Sequence, residues 1–367
     1  MEGRAGMTDA QTPLDLTAAN SGTDPVRDGY GFDSASLERW MVDHVEDFQG
    51  PISVRQFRGG QSNPTYQLVT PTRTYVLRRK PPGELLPGAH AVDREARVLT
   101  ALGAAGFPVA HVFGLCTDDA VIGTWFYVME MVEGRIFWDA TFPDVPRDER
   151  PRYFEAMNRA MASLHAFDPE TISLGEYGKP GNYFARQIGR WSKQYLADDL
   201  AGRNADTDAL VEWLPTAIPD NDETAIVHGD YRCDNIIFHP TEPRILAVLD
   251  WELSTLGHPL ADFANHAMMY RLPPDIIAGL DGCDVAALNI PDEQAYLEAY
   301  CRRSGRTFAG QDYDFAIAFS IFRLAAIFHG IKGRLIRGTA ASASAKLRAE
   351  AFPRLAHIGR RAMDACV

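Results

Sequence analysis

The sequence predicts an α+β protein in two parts, strand-rich at the front and mainly helical behind. Three observations carry that expectation. The apolar runs before residue 130 are short and rich in β-branched and aromatic residues, as in Val54-Arg55-Gln56-Phe57, Thr65-Tyr66-Gln67-Leu68-Val69 and Trp125-Phe126-Tyr127-Val128-Met129. Beyond residue 150, the segments 150–167, 183–196, 206–214, 296–303, 313–336 and 340–363 read as helices. A chain of 367 residues, 46% hydrophobic and 23% charged, is long enough for two substantial cores and ordinary for a globular enzyme. The expected division is a disordered tail over 1–30, a first part over 31–132 and a second over 133–367.

The elements follow in order. Residues 1–30 are polar and aperiodic, hence the tail, and Met7 competes with Met1 as the start. Leu37, Trp40, Met41, Val45 and Phe48 form the stripe of an amphipathic helix. Two strands then flank Arg58-Gly59-Gly60-Gln61-Ser62-Asn63. Glycines let backbone N–H groups approach an anion unobstructed, so Gly59, Gly60, Gln61 and Ser62 are either a phosphate cradle or a plain turn. The third strand, Thr74-Tyr75-Val76-Leu77-Arg78-Arg79-Lys80, sets Arg78 and Lys80 on one face by alternation. A helix over 93–102 carries Glu95, either an ion-pair partner or a surface acid. The strand ending at Met129 runs into Glu130-Met131-Val132-Glu133-Gly134. Pro353 is expected to bend or break the last helix.

The chemistry is concentrated between residues 228 and 262. There His228-Gly229-Asp230-Tyr231-Arg232-Cys233-Asp234-Asn235 precedes Leu249-Asp250-Trp251-Glu252 and Gly257-His258-Pro259-Leu260-Ala261-Asp262. Asp230 and Asn235 are five residues apart, close enough for one tight loop to aim both into a cleft. Short strands at 236–238 and 245–249, joined by a turn at 239–243, would carry Asp250 back beside Asn235. Phosphoryl transfer needs such a set: a carboxylate to orient the attacking hydroxyl, and an amide and a carboxylate to hold magnesium on the phosphates. Magnesium takes hard oxygen ligands, which Asn and Asp supply. One Asp or Asn in a loop commonly serves only a turn; the ordered set is what singles this stretch out.

These motifs resemble the aminoglycoside phosphotransferase-like (choline kinase-like) branch of the protein-kinase fold. They look closest to the kinase-like domain of certain long acyl-CoA dehydrogenases and its free-standing bacterial relatives. The resemblance runs from about residue 57 to residue 356, and the stretch 178–195 (GKPGNYFARQIGRWSKQY) is a strong part of it. Three departures from protein kinases stand out: Gly229 replaces the usual Arg, Asp250-Trp251-Glu252 replaces Asp-Phe-Gly, and no Ala-Pro-Glu segment follows.

The resemblance implies a bilobal protein-kinase-like fold with a strand-rich N-lobe and a helical C-lobe, binding ATP and Mg2+ between them. It implies Asp230 as catalytic base, Asn235 and Asp250 as metal ligands, and Gly59 to Ser62 over the phosphates. Arg78, with Lys80 as rival, would be the phosphate cation, and Glu95 its partner. The Glu130 carbonyl and Val132 N–H would bind adenine, unless they only end a strand, and His228 and Asp262 would hold the loops. Arg186, Gln187, Trp191 and Tyr195 either line an acceptor pocket or pack between helices. Arg323, in an apolar helix, needs an acid, either structural or a substrate carboxylate.

Composition excludes other classes. A net charge of -13 argues against nucleic acid as the main partner. No stretch approaches twenty apolar residues, so no membrane span is expected. The N-terminus lacks a charged-then-apolar leader, which points to the cytoplasm. The five cysteines are scattered and odd in number, hence reduced thiols, with Cys233 structural. Residues 332–361 carry eight bases and one acid, either a solvated face or a landing place for an anion.

The expected function is therefore an ATP- and Mg2+-dependent phosphotransferase acting on a hydroxyl of a small-molecule acceptor, with a hydroxylated acyl or carboxylate compound favoured. An aminoglycoside or choline-like acceptor, and a catalytically silent nucleotide-binding module, are the rivals. Oligomeric state is not legible.

Overall fold

The structure, a computed structural model, describes residues 21–58, 63–83, 90–339 and 345–366. The chain divides into two compact units: residues 1–93 with 113–131, and residues 94–112 with 132–367.

The first unit is built on a six-stranded sheet. Its strands are β1 (Thr23–Asp24), β2 (Ser53–Phe57), β3 (Thr65–Val69), β4 (Thr74–Arg79), β5 (Val112–Cys116) and β6 (Phe126–Glu130), in the order β1-β2-β3-β4-β6-β5. Neighbours from β1 to β4, and β4 with β6, are antiparallel. Alternation sends Tyr75 and Leu77 of β4, Tyr66 and Leu68 of β3 and Phe126 and Val128 of β6 into one core with Leu37, Trp40, Met41 and Val45. Leu37, Trp40 and Met41 lie on the helix Ser34–His44, which Asp33 caps by accepting from the Ala35 N–H. Burying each such side chain contributes roughly 1.5–3 kcal/mol. Arg79 follows Tyr75 and Leu77 onto that face. It is 2% exposed, donates to the carbonyls of Ile122 and Tyr30, and lies against the rings of Phe32 and Tyr66.

Part of the expected tail is structured. Thr23 and Asp24 pair with Phe57 and Gln56 of β2, and Asp24 forms an ion pair with Arg58 at 3.0 Å. The open edge of β2 offered unpaired backbone groups, a requirement that the local polarity of residues 21–30 does not reveal.

The second unit is mainly helical. Its centre is the 27-residue helix Gly310–Ile336, packed against the helices Ala345–Asp364, Pro259–Ala267 and Tyr183–Leu196. By length and composition the central helix could cross a membrane, yet 83% of its apolar window is buried inside the protein. The helix Ala345–Asp364 continues through Pro353, so of the bend or break expected there the break does not occur. Phe352, Leu355 and Ala356, each at most 2% exposed, are buried around the proline. That packing outweighs one lost hydrogen bond and the ring clash, which together cost about 3 kcal/mol.

Residues 94–112 group with the second unit, unlike the division read from sequence. Arg94 donates to the Tyr177 carbonyl at 2.7 Å and stacks on the Tyr177 ring. The Val248 N–H donates to the Pro108 carbonyl at 2.9 Å, and Phe107 packs edge-on against Trp251. Two small antiparallel ribbons complete the unit: β7 (Ala225–Val227) with β10 (Thr255–Gly257), and β8 (Ile236–Phe238) with β9 (Ile245–Val248).

Candidate functional site

The stretch 228–235 leaves the buried strand β7 and reaches β8 through a 3-10 turn at Cys233–Asn235. Asp262, near the start of the helix Pro259–Ala267, fixes its first residues. Its carboxylate accepts from the N–H groups of His228 and Gly229, both at 2.7 Å. His165 Nε2 lies 3.1 Å from the same carboxylate, and its Nδ1 is 2.7 Å from the Tyr300 hydroxyl. Burial opposes charge on Asp262, but the hydrogen bond and charge of His165 and the N–H donors prevail and hold its carboxyl below the usual range.

His228 is fully buried and works as a brace. Its Nδ1 accepts from the Asp230 N–H at 3.1 Å, which assigns the proton to Nε2, where it is donated to the Leu249 carbonyl at 2.8 Å. The 228–235 loop and the end of β9 are thus tied through one imidazole. Gly229 has φ +84°, and a Cβ there would come within 2.9 Å of the Leu253 carbonyl oxygen. Glycine is therefore a geometric requirement at the position where protein kinases carry arginine.

Asp230 follows with its side chain 33% exposed, open to an incoming group. Asn235 Nδ2 donates to the Asp230 main-chain carbonyl at 2.9 Å and to its Oδ2 at 3.2 Å. The loop thereby closes across the five-residue spacing, and the amide oxygen of Asn235 is left as an acceptor. Arg232 lies 3.8 Å from Asp230 and pairs at 2.5 Å with Asp234. Burial works against the Arg232 charge, but these two carboxylates outweigh it and raise its pKa. Burial, then the Asp234 charge, pushes the Cys233 thiol up. Cys233 is therefore a packed thiol and not a nucleophile.

The Leu249 N–H donates to the Asn235 carbonyl at 2.8 Å, so the end of β9 lies beside Asn235. Asp250 comes next, with φ +63° and ψ +64°, a left-handed conformation uncommon for a residue other than glycine. Such a conformation costs about 1–3 kcal/mol and persists only where surrounding contacts impose it. Here Trp251, 2% exposed, anchors the turn by donating its indole N–H to the Val248 carbonyl at 2.9 Å. Among the described residues no group of three or more His, Cys, Asp or Glu side chains gathers as a metal site. An amide oxygen and a carboxylate suit a magnesium ion that takes its remaining ligands from phosphate and water.

The other sequence candidates fall as follows. Gly59, Gly60, Gln61 and Ser62 lie outside the described residues. Arg78 is 8% exposed, on the sheet face opposite the first unit's core, and Lys80 Nζ sits 3.8 Å over the Trp125 ring. Glu95 is 2% exposed, which excludes a surface acid. Glu130 ends β6 opposite Tyr75, and Val132 opens the longer segment of the second unit. Arg186 donates to the Lys179 carbonyl at 2.7 Å, and Gln187 accepts from the Trp191 indole at 3.2 Å. Tyr195 is fully buried, bonded to Asp208 and Asn204, and so belongs to packing.

Sequence reading missed His165 and the Arg232–Asp234 pair. The pair had a local signal, opposite charges two apart in the loop; His165, 63 positions before His228, had none. A cavity of about 310 Å3 lined by Phe154, Asn158, Tyr296 and Arg303 involves none of the site residues.

Behind the loop, His266 donates from Nδ1 to the Tyr231 carbonyl at 3.1 Å and accepts at Nε2 from the Tyr296 hydroxyl at 2.8 Å. Burial pushes its pKa down to about 4. The unfolded chain takes up this proton first, so stability should fall as pH drops from about 6.5 towards 4, by on the order of 3 kcal/mol. Urea titrations at several pH values should show that acid limb, and a His266→Gln protein should show a flatter one.

The chain matches the phosphotransferase enzyme family, APH, over residues 53–314. It is 42% identical over 337 residues to acyl-CoA dehydrogenase family member 10 of Mus musculus, covering 91% of this chain and 31% of that protein. Acyl-CoA dehydrogenase family member 11 of Homo sapiens is 41% identical over 336 residues, 89% of this chain and 43% of that one. The chain thus spans less than half the length of these relatives. A crystal structure from Ralstonia eutropha, of a protein provisionally named an aminoglycoside phosphotransferase, is 49% identical, with TM-score 0.84 over 91% of this chain and 99% of that one. Aminoglycoside phosphotransferase APH(4)-Ia, in ternary complex with AMP-PNP and hygromycin B, shares 15% identity at TM-score 0.58 over 89% of this chain and 98% of that one, a likeness of fold alone. The family match, the 49% identical structure and the loop built around Asp230 agree: the chain belongs to the phosphotransferase enzyme family of small-molecule phosphotransferases with a kinase-like fold.

Proposed function

We propose that this protein transfers the terminal phosphoryl group of ATP, with Mg2+, to a hydroxyl of a small-molecule acceptor. The observation that carries this reading is the Asp230 carboxylate, one-third exposed and held from behind by Asn235. In the reaction the acceptor oxygen bonds to phosphorus, the bond to the ADP oxygen breaks, and the hydroxyl proton passes to Asp230. Asp250 and the Asn235 amide oxygen are the ligands offered to magnesium, whose charge offsets that of the phosphates. The complex of a same-fold neighbour with AMP-PNP supports ATP as donor. The names of the longer relatives support an acyl or carboxylate compound as acceptor. All five cysteines are free, which supports a reducing compartment such as the cytoplasm.

ADP formation, measured with and without EDTA across hydroxy acids, their CoA esters, choline and aminoglycosides, tests the proposal. If ATP binds and no acceptor gives Mg2+-dependent ADP, the chain is a silent nucleotide-binding module. The same assay ranks the two cations of β4 and its end. Arg78→Ala should raise the KM for ATP about tenfold or more, as loss of a charge-assisted phosphate contact does. Lys80→Ala should act mildly, because its ammonium is already engaged by Trp125. The reverse order would move the phosphate contact to Lys80.

A further inference from the structure

Arg323 is a buried arginine beside the catalytic loop whose contacts include no acid. It lies in the helix Gly310–Ile336 among Phe319, Ile321, Phe322 and Ala325, and is 8% exposed. Its Nη2 donates to the Gly229 carbonyl at 2.9 Å, and its guanidinium carbon lies 6.0 Å from the centre of the Trp191 ring. Among the described residues these are its partners, and both are neutral. A buried cation ordinarily requires an anion, because one carbonyl and a ring face do not replace the water it has lost. Clamping one carbonyl would use one N–H, whereas a guanidinium brings five in a planar fork that fits a carboxylate.

Further cations stand nearby. The helix Tyr183–Leu196 contributes Arg186, and Arg190 over the Trp191 ring at 5.1 Å. Tyr183, on that helix, feels the charges of Arg323, Arg186 and Arg190 against that of Asp262, a carboxylate already engaged by the His228 and Gly229 N–H groups and by His165. Arg348, in the basic C-terminal helix, is exposed and within Coulombic reach of Asp230 and Arg232. Gly229, which Arg323 touches, immediately precedes Asp230, and consecutive Cα atoms are about 3.8 Å apart. A molecule reaching both points is a few bonds long.

We propose that Arg323, over Trp191, binds a carboxylate of the acceptor whose hydroxyl faces Asp230, so that the acceptor class is a hydroxycarboxylate. This rests on the phosphotransferase reading. It makes Arg323 a specificity-determining residue and disfavours polycationic acceptors.

The test is a calorimetric titration of the full chain with excess ADP and Mg2+ present, so that nucleotide contacts are already occupied. The probes are straight-chain hydroxycarboxylates of three to eight carbons, the diols of the same skeletons, and kanamycin. At least one hydroxycarboxylate should bind roughly tenfold or more tightly than its diol, and kanamycin should bind more weakly than either. Arg323→Met should abolish the preference while ADP affinity stays within a few-fold, and Arg323→Lys should keep part of it. Equal binding of acid and diol, binding of no acid, tighter binding of kanamycin, or a preference surviving in Arg323→Met would each overturn the proposal. Should Arg323→Met fail to fold, the wild-type acid–diol comparison and Arg323→Lys decide alone. Failure of the kinase reading is read separately: acids that bind without ADP formation sink that reading and leave the anion site standing.

Discussion

An Asp230→Asn protein is expected to bind ATP with near wild-type affinity and to lose about a hundredfold or more in phosphoryl transfer. The substitution keeps the shape of the side chain but removes its charge and its ability to accept a proton, and it leaves Arg232 its pair with Asp234. The Asn235 bond to the residue-230 carbonyl at 2.9 Å does not involve the side chain, and neither do the bonds from Asp262 to the residues before it. The loop should therefore keep its geometry while the acceptor hydroxyl loses its orienting carboxylate. Single-turnover ADP formation set beside an ATP titration separates the two effects. A folded variant turning over within a few-fold of wild type would show that Asp230 is not the base.

Asp262→Ala is expected to destabilise the protein by roughly 3 kcal/mol or more, because each buried donor that loses its acceptor costs about 1–3 kcal/mol. Three donors share that one carboxylate: the N–H groups of His228 and Gly229, and His165. All sit where water is excluded, so each is left unsatisfied when the acceptor goes. Because the folded carboxyl is held below its ordinary value, the stability it contributes is present above about pH 4 and is lost as pH falls through the lowered value. Urea unfolding at pH 7 measures the loss. Below about pH 4 the wild-type profile should fall more steeply than that of Asp262→Asn, which keeps only the limb due to other groups such as His266. A cost under about 1 kcal/mol would mean that the loop is held by something else.

The sequence by itself determined the family, the two-part α+β architecture and the ordered polar residues from His228 to Asp262. Those features are local: alternation in short strands, helical stripes, and a five-residue spacing that one tight turn can close, as the Asn235–Asp230 bond shows. The requirement for Gly229 is not local: it comes from the Leu253 carbonyl oxygen, which a Cβ at that position would meet at 2.9 Å. The hairpin that brings Asp250 to Asn235 was legible because both strands and the turn are contiguous in the chain.

Tertiary structure alone decided the rest, because the partners are far apart in sequence and no periodicity links them. Thr23 and Asp24 became a strand because β2 had an edge to fill. The helix continued through Pro353 because buried neighbours outweigh the local penalty. His165 acquired its place only when the fold set it between Tyr300 and Asp262. Arg323, readable in sequence as a lone cation in an apolar helix, proved to have no acid among the described residues and to touch the carbonyl next to Asp230. Pattern says which residues face inward; only packing says what each one meets there.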